Sequence, residues 1–530
     1  MSDAPFPGRS TALLFGARVL ALAAGLAAAL AHPPWGLLPG LLGYGVLFRL
    51  IDRLGRRGRW RSAFALGWLA GFAYFALSIA WLAQPFQVDA EAQGWMAPFA
   101  VIFMAAGLAL FWGAAGVVYR AVAGPGPGRV LLFAAALVGF EWLRGHLFTG
   151  FPWDLPGETW RAGSAPSQMA SVVGAYGLSW ITIVAVTGPF TLLEGRRGQI
   201  MGLASVATIA GLYAYGVVRL AHAAPADPHA PWVRIVQAKV RQENKYDARI
   251  FDSIVTRYVT LTARAAARTP DIVIWPEGAI PAALQEYLAP EAWTSEAILD
   301  ALKPGQTLIL GGYRFATDAQ GAPVTYNSLA VIKAEGRRLK VTGLYDKFRL
   351  VPFGEFMPFD SVASRWGIKQ FVHVGDGFTP GPRPRPMRIA GLPSVQPLIC
   401  YESLFPGFTR EGGDMNGVRA AWIANISNDA WFGLGAGPRQ HLNIASYRAI
   451  EEGLPMIRAT PTGISAIVDA YGRVVPGRSL QLGAYGVIDG PLPPALAPTL
   501  FNQLGEAPLA LMLILSLTGA SAPGILRRRP

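Results

Sequence analysis

The chain has 530 residues, with 46 Lys and Arg against 33 Asp and Glu and a formal charge of +13. Apolar residues make up 52% and charged residues only 15%, where soluble chains carry about 25% charge, so part of the chain is built for a medium other than water. The 16 Trp and 27 Phe exclude intrinsic disorder, and the single cysteine, Cys400, excludes a disulfide scaffold.

Seven apolar segments of near-spanning length crowd into the first 220 residues: 11–31, 34–51, 63–83, 95–119, 130–147, 172–193 and 200–220. About 20 helical residues cross a bilayer core, and most of these segments suffice; the second and fifth are short. Residues 221–500 then mix polar and apolar sequence, and an eighth apolar run at 506–523 precedes the tail Arg527-Arg528-Arg529. The expected architecture is an eight-helix transmembrane bundle, seven helices over 1–220 and one in 501–530, around a water-soluble domain over 221–500.

Arginines concentrate on alternate connections: Arg53, Arg56, Arg57, Arg59 and Arg61, then Arg120 and Arg129, then Arg196 and Arg197. The third-to-fourth connection carries Asp89 and Glu91 and no base. Lys and Arg favour the cytoplasmic face, which puts the N-terminus and tail inside and residues 221–500 outside. This placement accounts for much of the basic excess, so nucleic acid is not expected as a partner. Arg9 followed by the apolar run and Ala29-Leu30-Ala31 resembles a cleaved signal, but the run is long for a signal core, and a retained helix with Arg18 snorkelling is expected.

In the outer segment, β-rich runs at 233–238, 272–275, 307–311, 328–332, 395–399, 421–426, 456–459 and 464–468 alternate with helix-like stretches at 248–268, 292–302 and 439–452. Strands interleaved with helices predict an α/β layered domain, with 380–386 as an exposed loop. The six histidines, His32, His146, His222, His229, His373 and His441, show no zinc-ligand spacing. No G-x-S-x-G elbow or phosphate-binding loop occurs, and the glycine-rich run 433–437 is expected to be only a turn.

Three polar groups sit at expected strand ends. Glu277 follows Ile272-Val273-Ile274-Trp275-Pro276, Lys347 follows Leu344-Tyr345-Asp346, and Cys400 follows 395–399. Singly, each has a plain alternative: a helix-start acid, a solvated surface charge, a buried small hydrophobe. Together they make a coherent set. A carboxylate whose pKa is raised in an apolar pocket can take the thiol proton. An ammonium, with the N–H of Tyr401, can stabilise the charge that builds on an attacked carbonyl.

Trp275-Pro276-Glu277, then Tyr345-x-Lys347 running into Leu350-Val351-Pro352-Phe353-Gly354-Glu355, then Leu398-Ile399-Cys400-Tyr401-Glu402 resemble the nitrilase superfamily of carbon–nitrogen hydrolases. The helices, with Glu141-Trp142-Leu143-Arg144-Gly145, Gly150-Phe151-Pro152-Trp153 and Ser427-Asn428-Asp429-Ala430-Trp431-Phe432-Gly433, narrow the resemblance to the apolipoprotein N-acyltransferases of the bacterial inner membrane.

The resemblance implies an αββα sandwich in the periplasm, with Cys400 as nucleophile, Glu277 as general base and acid, and Lys347 as oxyanion stabiliser. It implies supporting roles for Glu355, Tyr401 and Glu402. Tyr246 falls near a position where the family has a functional tryptophan, and Thr460-Pro461-Thr462-Gly463 departs from the family's Asn-rich version. Trp431 and Tyr246 are expected to meet substrate. Phe353, Phe356, Met357 and Phe359 would either guide an acyl chain or pack as core. Glu141 and Arg144, three apart on one helix face, would either meet a lipid headgroup or form a structural ion pair. Asn428 and Asp429 would either brace the loop above the pocket or contact substrate directly.

The implied reaction moves the sn-1 acyl chain of a phospholipid, with phosphatidylethanolamine preferred, through a Cys400 thioester to the α-amine of the S-diacylglyceryl cysteine of an apolipoprotein. No cofactor or metal is expected. Two other accounts share parts of the pattern: a membrane-tethered amidase, and a transporter or receptor whose outer domain only binds.

Overall fold

The computed structural model describes residues 7–53, 60–222, 227–357, 377–410 and 419–525. Arg56, Arg57, Arg59, Phe359, His373 and the tail 527–529 lie outside the described residues, as does the side chain of Arg9. The chain divides into two compact units, Met1–His222 with Gln503–Pro530, and Ala223–Asn502.

In the first unit, helices Pro7–Leu30, Leu42–Asp52, Trp60–Ser78, Ala97–Val122, Arg129–His146, Ala170–Thr187, Gly195–Ala221 and Ala507–Ile525 fall in the eight apolar segments. Among the described residues, four are long and apolar enough to cross a membrane; a fifth is added if Trp60–Ser78 and Ala80–Gln87, bent by 60°, make one span. That measure does not confirm the expected count of eight spanning helices. The second segment falls short because a short 3-10 turn, Leu38–Leu41, takes its first part and leaves an 11-residue helix. At 1.5 Å per residue that covers about 16 Å, roughly half the hydrocarbon thickness.

Small residues let these helices approach backbone to backbone. A Cβ on Gly25 would lie 1.9 Å from the Ala70 carbonyl oxygen, and one on Gly67 would lie 2.4 Å from that of Trp112. Phe99, Phe103, Leu110 and Val118 of Ala97–Val122 face outward while Trp112 and Tyr119 are buried, the pattern of a helix solvated by hydrocarbon. Three connections meet at one end of the unit. Arg129 donates to Asp52 at 3.1 Å and to Glu194 at 2.6 and 2.7 Å.

The second unit holds two six-stranded mixed sheets. The first has the order β12-β1-β2-β3-β4-β5 and the second β11-β10-β9-β8-β7-β6. The strands are β1 (Trp232–Gln237), β2 (Ile272–Ile274), β3 (Thr307–Thr317), β4 (Pro323–Glu335), β5 (Arg338–Asp346), β6 (Met387–Ile389), β7 (Leu392–Ile399), β8 (Trp422–Ile426), β9 (Met456–Ala459), β10 (Ser465–Val468), β11 (Val474–Leu480) and β12 (Gly486–Pro491). Each sheet has three parallel strands, β1-β2-β3 in one and β7-β8-β9 in the other, flanked by antiparallel neighbours.

Alternation along the strands builds the layers. Val233, Ile235, Ile274 and Ile309 of the first sheet pack with Ile399, Ala424, Ile426 and Ile457 of the second. The opposite faces of β1 and β3, through Val236, Leu308 and Leu310, pack under Ile254 and Tyr258 of helix Phe251–Ala263 and Ile298 of helix Trp293–Ala301. All eight expected strand runs are strands; β5, β6, β11 and β12 were not expected.

Candidate active site

The parallel strands bring their C-terminal ends together, where ligand sites of open α/β sheets gather. Glu277 lies three residues past β2, Lys347 directly after β5, Cys400 directly after β7 and Asn428 two residues past β8. Glu277 is held by backbone pairing: the Gly311 N–H donates to the Pro276 carbonyl at 3.2 Å, and the Ala279 N–H to that of Gly311 at 3.1 Å. A Cβ on Gly311 would stand 2.5 Å from the Glu277 Cα, so only glycine admits this approach.

Lys347 is fixed from the residue before it. Arg314 grips Asp346 through two bonds of 2.8 and 2.6 Å, Ser328 adds a third at 2.6 Å, and the Lys347 N–H donates to the Asn327 carbonyl at 2.8 Å. Its ammonium, 1% exposed as a side chain, lies 3.2 Å from Glu277 Oε1 and 2.9 Å from Glu355 Oε1. Asn327 Nδ2 spans the same two oxygens at 2.7 and 2.8 Å. The Asn428 N–H donates to Glu277 Oε2 at 2.7 Å, and the Val351 N–H to Glu355 Oε2 at 2.8 Å. Every carboxylate oxygen of the pair thus has a donor.

Cys400 opens a 3-10 turn, Cys400–Leu404, with φ of +49°. A non-glycine residue rarely adopts that region and is held there at a cost of about 1–3 kcal/mol. The thiol is buried and unpaired. Burial pushes it well above the ordinary thiol range, the Glu277 carboxylate adds to this, and the Lys347 ammonium and a Ser427 hydrogen bond oppose it.

Burial would likewise raise Glu277, but Lys347, Asn327 and the Asn428 N–H outweigh it and leave the carboxyl below its usual range. This corrects the expectation of a raised pKa, because the pocket is not apolar at the carboxylate: three donors face it. Burial pulls Lys347 down, while Glu277, Glu355 and Cys400 more than reverse this and hold it protonated. At neutral pH the site therefore rests as thiol, carboxylate and ammonium.

Glu402 ties the Cys400 turn to the segment bearing Lys347. Its Oε1 accepts from Tyr345 Oη at 2.7 Å and from the N–H groups of Phe348 and Arg349 at 2.8 and 3.2 Å, and its Oε2 from Ile399 N–H at 2.8 Å. Burial nonetheless raises its carboxyl to about 7. Tyr401 is buried beside Phe405, with ring centroids 5.1 Å apart.

Behind Cys400 lies a buried polar network not singled out as a unit from sequence. Ser427 donates to Asp429 at 2.7 Å, His441 Nδ1 lies 2.9 Å from the same oxygen, and Arg458 reaches Asp429 Oδ2 at 2.8 Å. Ser403 completes it, bonded to the Cys400 carbonyl at 2.8 Å and 3.1 Å from His441 Nε2. Gly463 packs against Asp429, where a Cβ would meet it at 2.6 Å. The signal was available: a His, an Asp and an Arg within apolar surroundings must satisfy one another. Asn327 was also missed; with Ser328 it opens the buried part of β4, just ahead of the apolar run Leu329–Ile332.

The remaining expected residues are placed less uniformly. Tyr246 is exposed next to Lys245, whose ammonium lies 5.8 Å from its ring centroid. Phe353 is 57% exposed with φ of +63°, in a tight turn closed by its N–H donating to the Phe356 carbonyl at 2.8 Å. Phe356 is half-buried and Met357 buried, so this short loop shares exposure and packing among its apolar residues. Trp431 is 37% exposed. Glu141 and Arg144 belong to the other unit, both sealed from solvent. Arg144 Nε donates to Glu141 Oε2 at 2.8 Å and Nη2 to the Trp153 carbonyl at 3.1 Å, and Trp112 donates to Glu141. The two side chains thus form a buried ion pair within the helical unit. Among the described residues, no group of three His, Cys, Asp or Glu is placed to hold a metal ion.

Residues 24–188 match the family model of the apolipoprotein N-acyltransferase N-terminal domain, and residues 233–495 that of the carbon–nitrogen hydrolases. The apolipoprotein N-acyltransferase of Caulobacter vibrioides is 54% identical over 94% of both chains. That of Bradyrhizobium diazoefficiens is 35% identical over 97% of this chain and 96% of its own. That of Brucella melitensis is 37% identical over 96% of each. Identity of this degree over almost the full length shows that the chain belongs to the apolipoprotein N-acyltransferase family.

Proposed function

We propose that this chain moves the sn-1 acyl group of a phospholipid, phosphatidylethanolamine foremost, to the α-amine of the S-diacylglyceryl cysteine that begins an apolipoprotein. One observation carries this reading within the family: a thiol on a strained turn shares its pocket with an ammonium bridging two carboxylates.

The chemistry runs in two halves. Glu277 takes the Cys400 proton as the sulfur attacks the ester carbonyl, and Lys347 with the Tyr401 N–H stabilises the oxyanion. The intermediate collapses to a thioester, the C–O bond breaks, and Glu277 returns the proton to the departing lysophospholipid. The acceptor amine then attacks the thioester, gives its proton to Glu277, and the sulfur leaves and is reprotonated. Such a covalent intermediate predicts ping-pong kinetics. Ester and thioester supply the driving force, so no cofactor is invoked.

The eight-span count, the inner-membrane location and the periplasmic position of residues 221–500 are parts of the same proposal. Arginines recur on alternate connections, and Asp52, Arg129 and Glu194, from three such connections, meet at one end of the helical unit. For this to hold, the short helix Leu42–Asp52 must carry the chain to that end together with the turn before it.

The test supplies purified protein with acyl-labelled phospholipid and a diacylated lipopeptide. The reading expects labelled triacylated peptide. Release of ammonia from amides with the lipids untouched would identify an amidase instead, and full function in Cys400→Ser would identify a binding protein.

A further inference from the structure

A second lysine stands beside the site without a counterion. Lys245 follows the 3-10 turn Gln242–Asn244 after β1 and is 5% exposed. Its ammonium rests against Gly278, the residue after Glu277: a Cβ there would lie 2.8 Å from Lys245 Nζ. The turn is pinned to the site, because Asn428, whose N–H holds Glu277, also donates its Nδ2 to Gln242 Oε1 at 3.0 Å.

Among the described residues the Lys245 ammonium has no hydrogen bond and no ion pair within 4.0 Å; it lies 5.8 Å from the centroid of the exposed Tyr246 ring and feels the Glu277 charge from beyond contact. A buried cation normally takes a carboxylate or several carbonyls. Burial, partly offset by the Glu277 charge, pulls this one down to about 8.

We propose that Lys245 binds the phosphodiester of the phospholipid donor and so places the donor's ester at Cys400. This rests on the acyl-transfer reading and deepens it. A phosphate oxygen would supply the partner the fold withholds, as a charge-assisted hydrogen bond. The competing explanation is overall charge balance, since Glu277 and Glu355 outnumber Lys347 by one. Balance alone would act on every acyl donor alike, whereas phosphate recognition discriminates between donors.

The experiment uses the full chain and compares acylation of Cys400 by phosphatidylethanolamine with acylation by p-nitrophenyl palmitate, an ester without phosphate, in wild type, Lys245→Met, Lys245→Gln and Lys245→Arg. The efficiency ratio, phospholipid over neutral ester, is expected to fall roughly tenfold to hundredfold in Lys245→Met and Lys245→Gln, with Lys245→Arg recovering most of it. An unchanged ratio in the folded Met or Gln variant overturns the proposal.

Glycerophosphoethanolamine and inorganic phosphate, added as competitors of the neutral ester, separate a headgroup site from a general phosphate site. Only the former should compete strongly, and only while Lys245 is present. Should wild type take no acyl group from phospholipid yet show this Lys245-dependent competition, the donor reading falls and the anion site stands. Competition indifferent to Lys245 sinks the anion site, whatever the donor.

Discussion

Asn327→Ala isolates one of the hydrogen bonds that hold the Glu277 carboxyl below its usual range. The side chain gives one donor group to Glu277 Oε1 at 2.7 Å and to Glu355 Oε1 at 2.8 Å. A hydrogen bond to a charged group contributes about 1.5–3 kcal/mol, and about 1.4 kcal/mol corresponds to one pKa unit. Loss of the donor destabilises only the ionised form, so the Glu277 carboxyl rises. Water entering the space limits the change to about one unit. In the proposed reaction the carboxylate is the base, so the acid limb of the acylation pH profile moves to higher pH by that amount.

Stability follows with the same sign. A depressed carboxyl pKa stabilises the fold above the unfolded pKa, and that contribution is lost as pH falls. The Tm difference between wild type and Asn327→Ala is therefore greatest near neutral pH and shrinks in acid. Single-turnover acylation measured by intact mass from pH 4 to 9, with thermal melts at the same pH values, checks both. An acid limb that stays in place, or moves to lower pH, would refute the reasoning.

Other perturbations follow from the same contacts. Glu402→Gln must turn an amide N–H toward an existing donor at either end, which costs about 1–3 kcal/mol and lowers Tm. Because burial raises Glu402 to about 7, the folded state holds the extra proton between about pH 4.5 and 7, so wild-type stability falls with rising pH across that window. The slope should flatten in Glu402→Gln melts. Asp429→Asn uncouples Arg458 and His441 in the buried network and is expected to cost about 3–5 kcal/mol, read as a Tm drop. Gly311→Ala sets a Cβ 2.5 Å from the Glu277 Cα and should cost about 1–3 kcal/mol with slowed acylation. Gly435→Ala, which enters open space, should leave both within error.

The interior of the soluble unit was legible because buried strands are written as apolar runs. The four strands not expected, β5, β6, β11 and β12, are the four sheet edges. Edge strands carry polar and exposed residues, as in Arg338-Leu339-Lys340-Val341, or Pro and Gly, as in β11, so no apolar run marks them. Glu277, Lys347 and Cys400 were legible as strand-end polar groups, but their electrostatics were not. The donors that lower Glu277 come from Lys347 after β5, from Asn327 in β4 and from Asn428 after β8, far apart in sequence. In the helical unit, hydropathy located every segment but could not show that a turn shortens the second helix. The Glu141–Arg144 pair was legible as two charges on one face, but not the carbonyls of 151 and 153 that fold back onto the guanidinium.

The most direct test is the mass of the whole protein after incubation with phospholipid and no acceptor. Addition of a single fatty acyl group, cleaved by hydroxylamine and missing in Cys400→Ala, is the predicted result. A mass that never changes, or an adduct that persists in Cys400→Ala, would contradict the account.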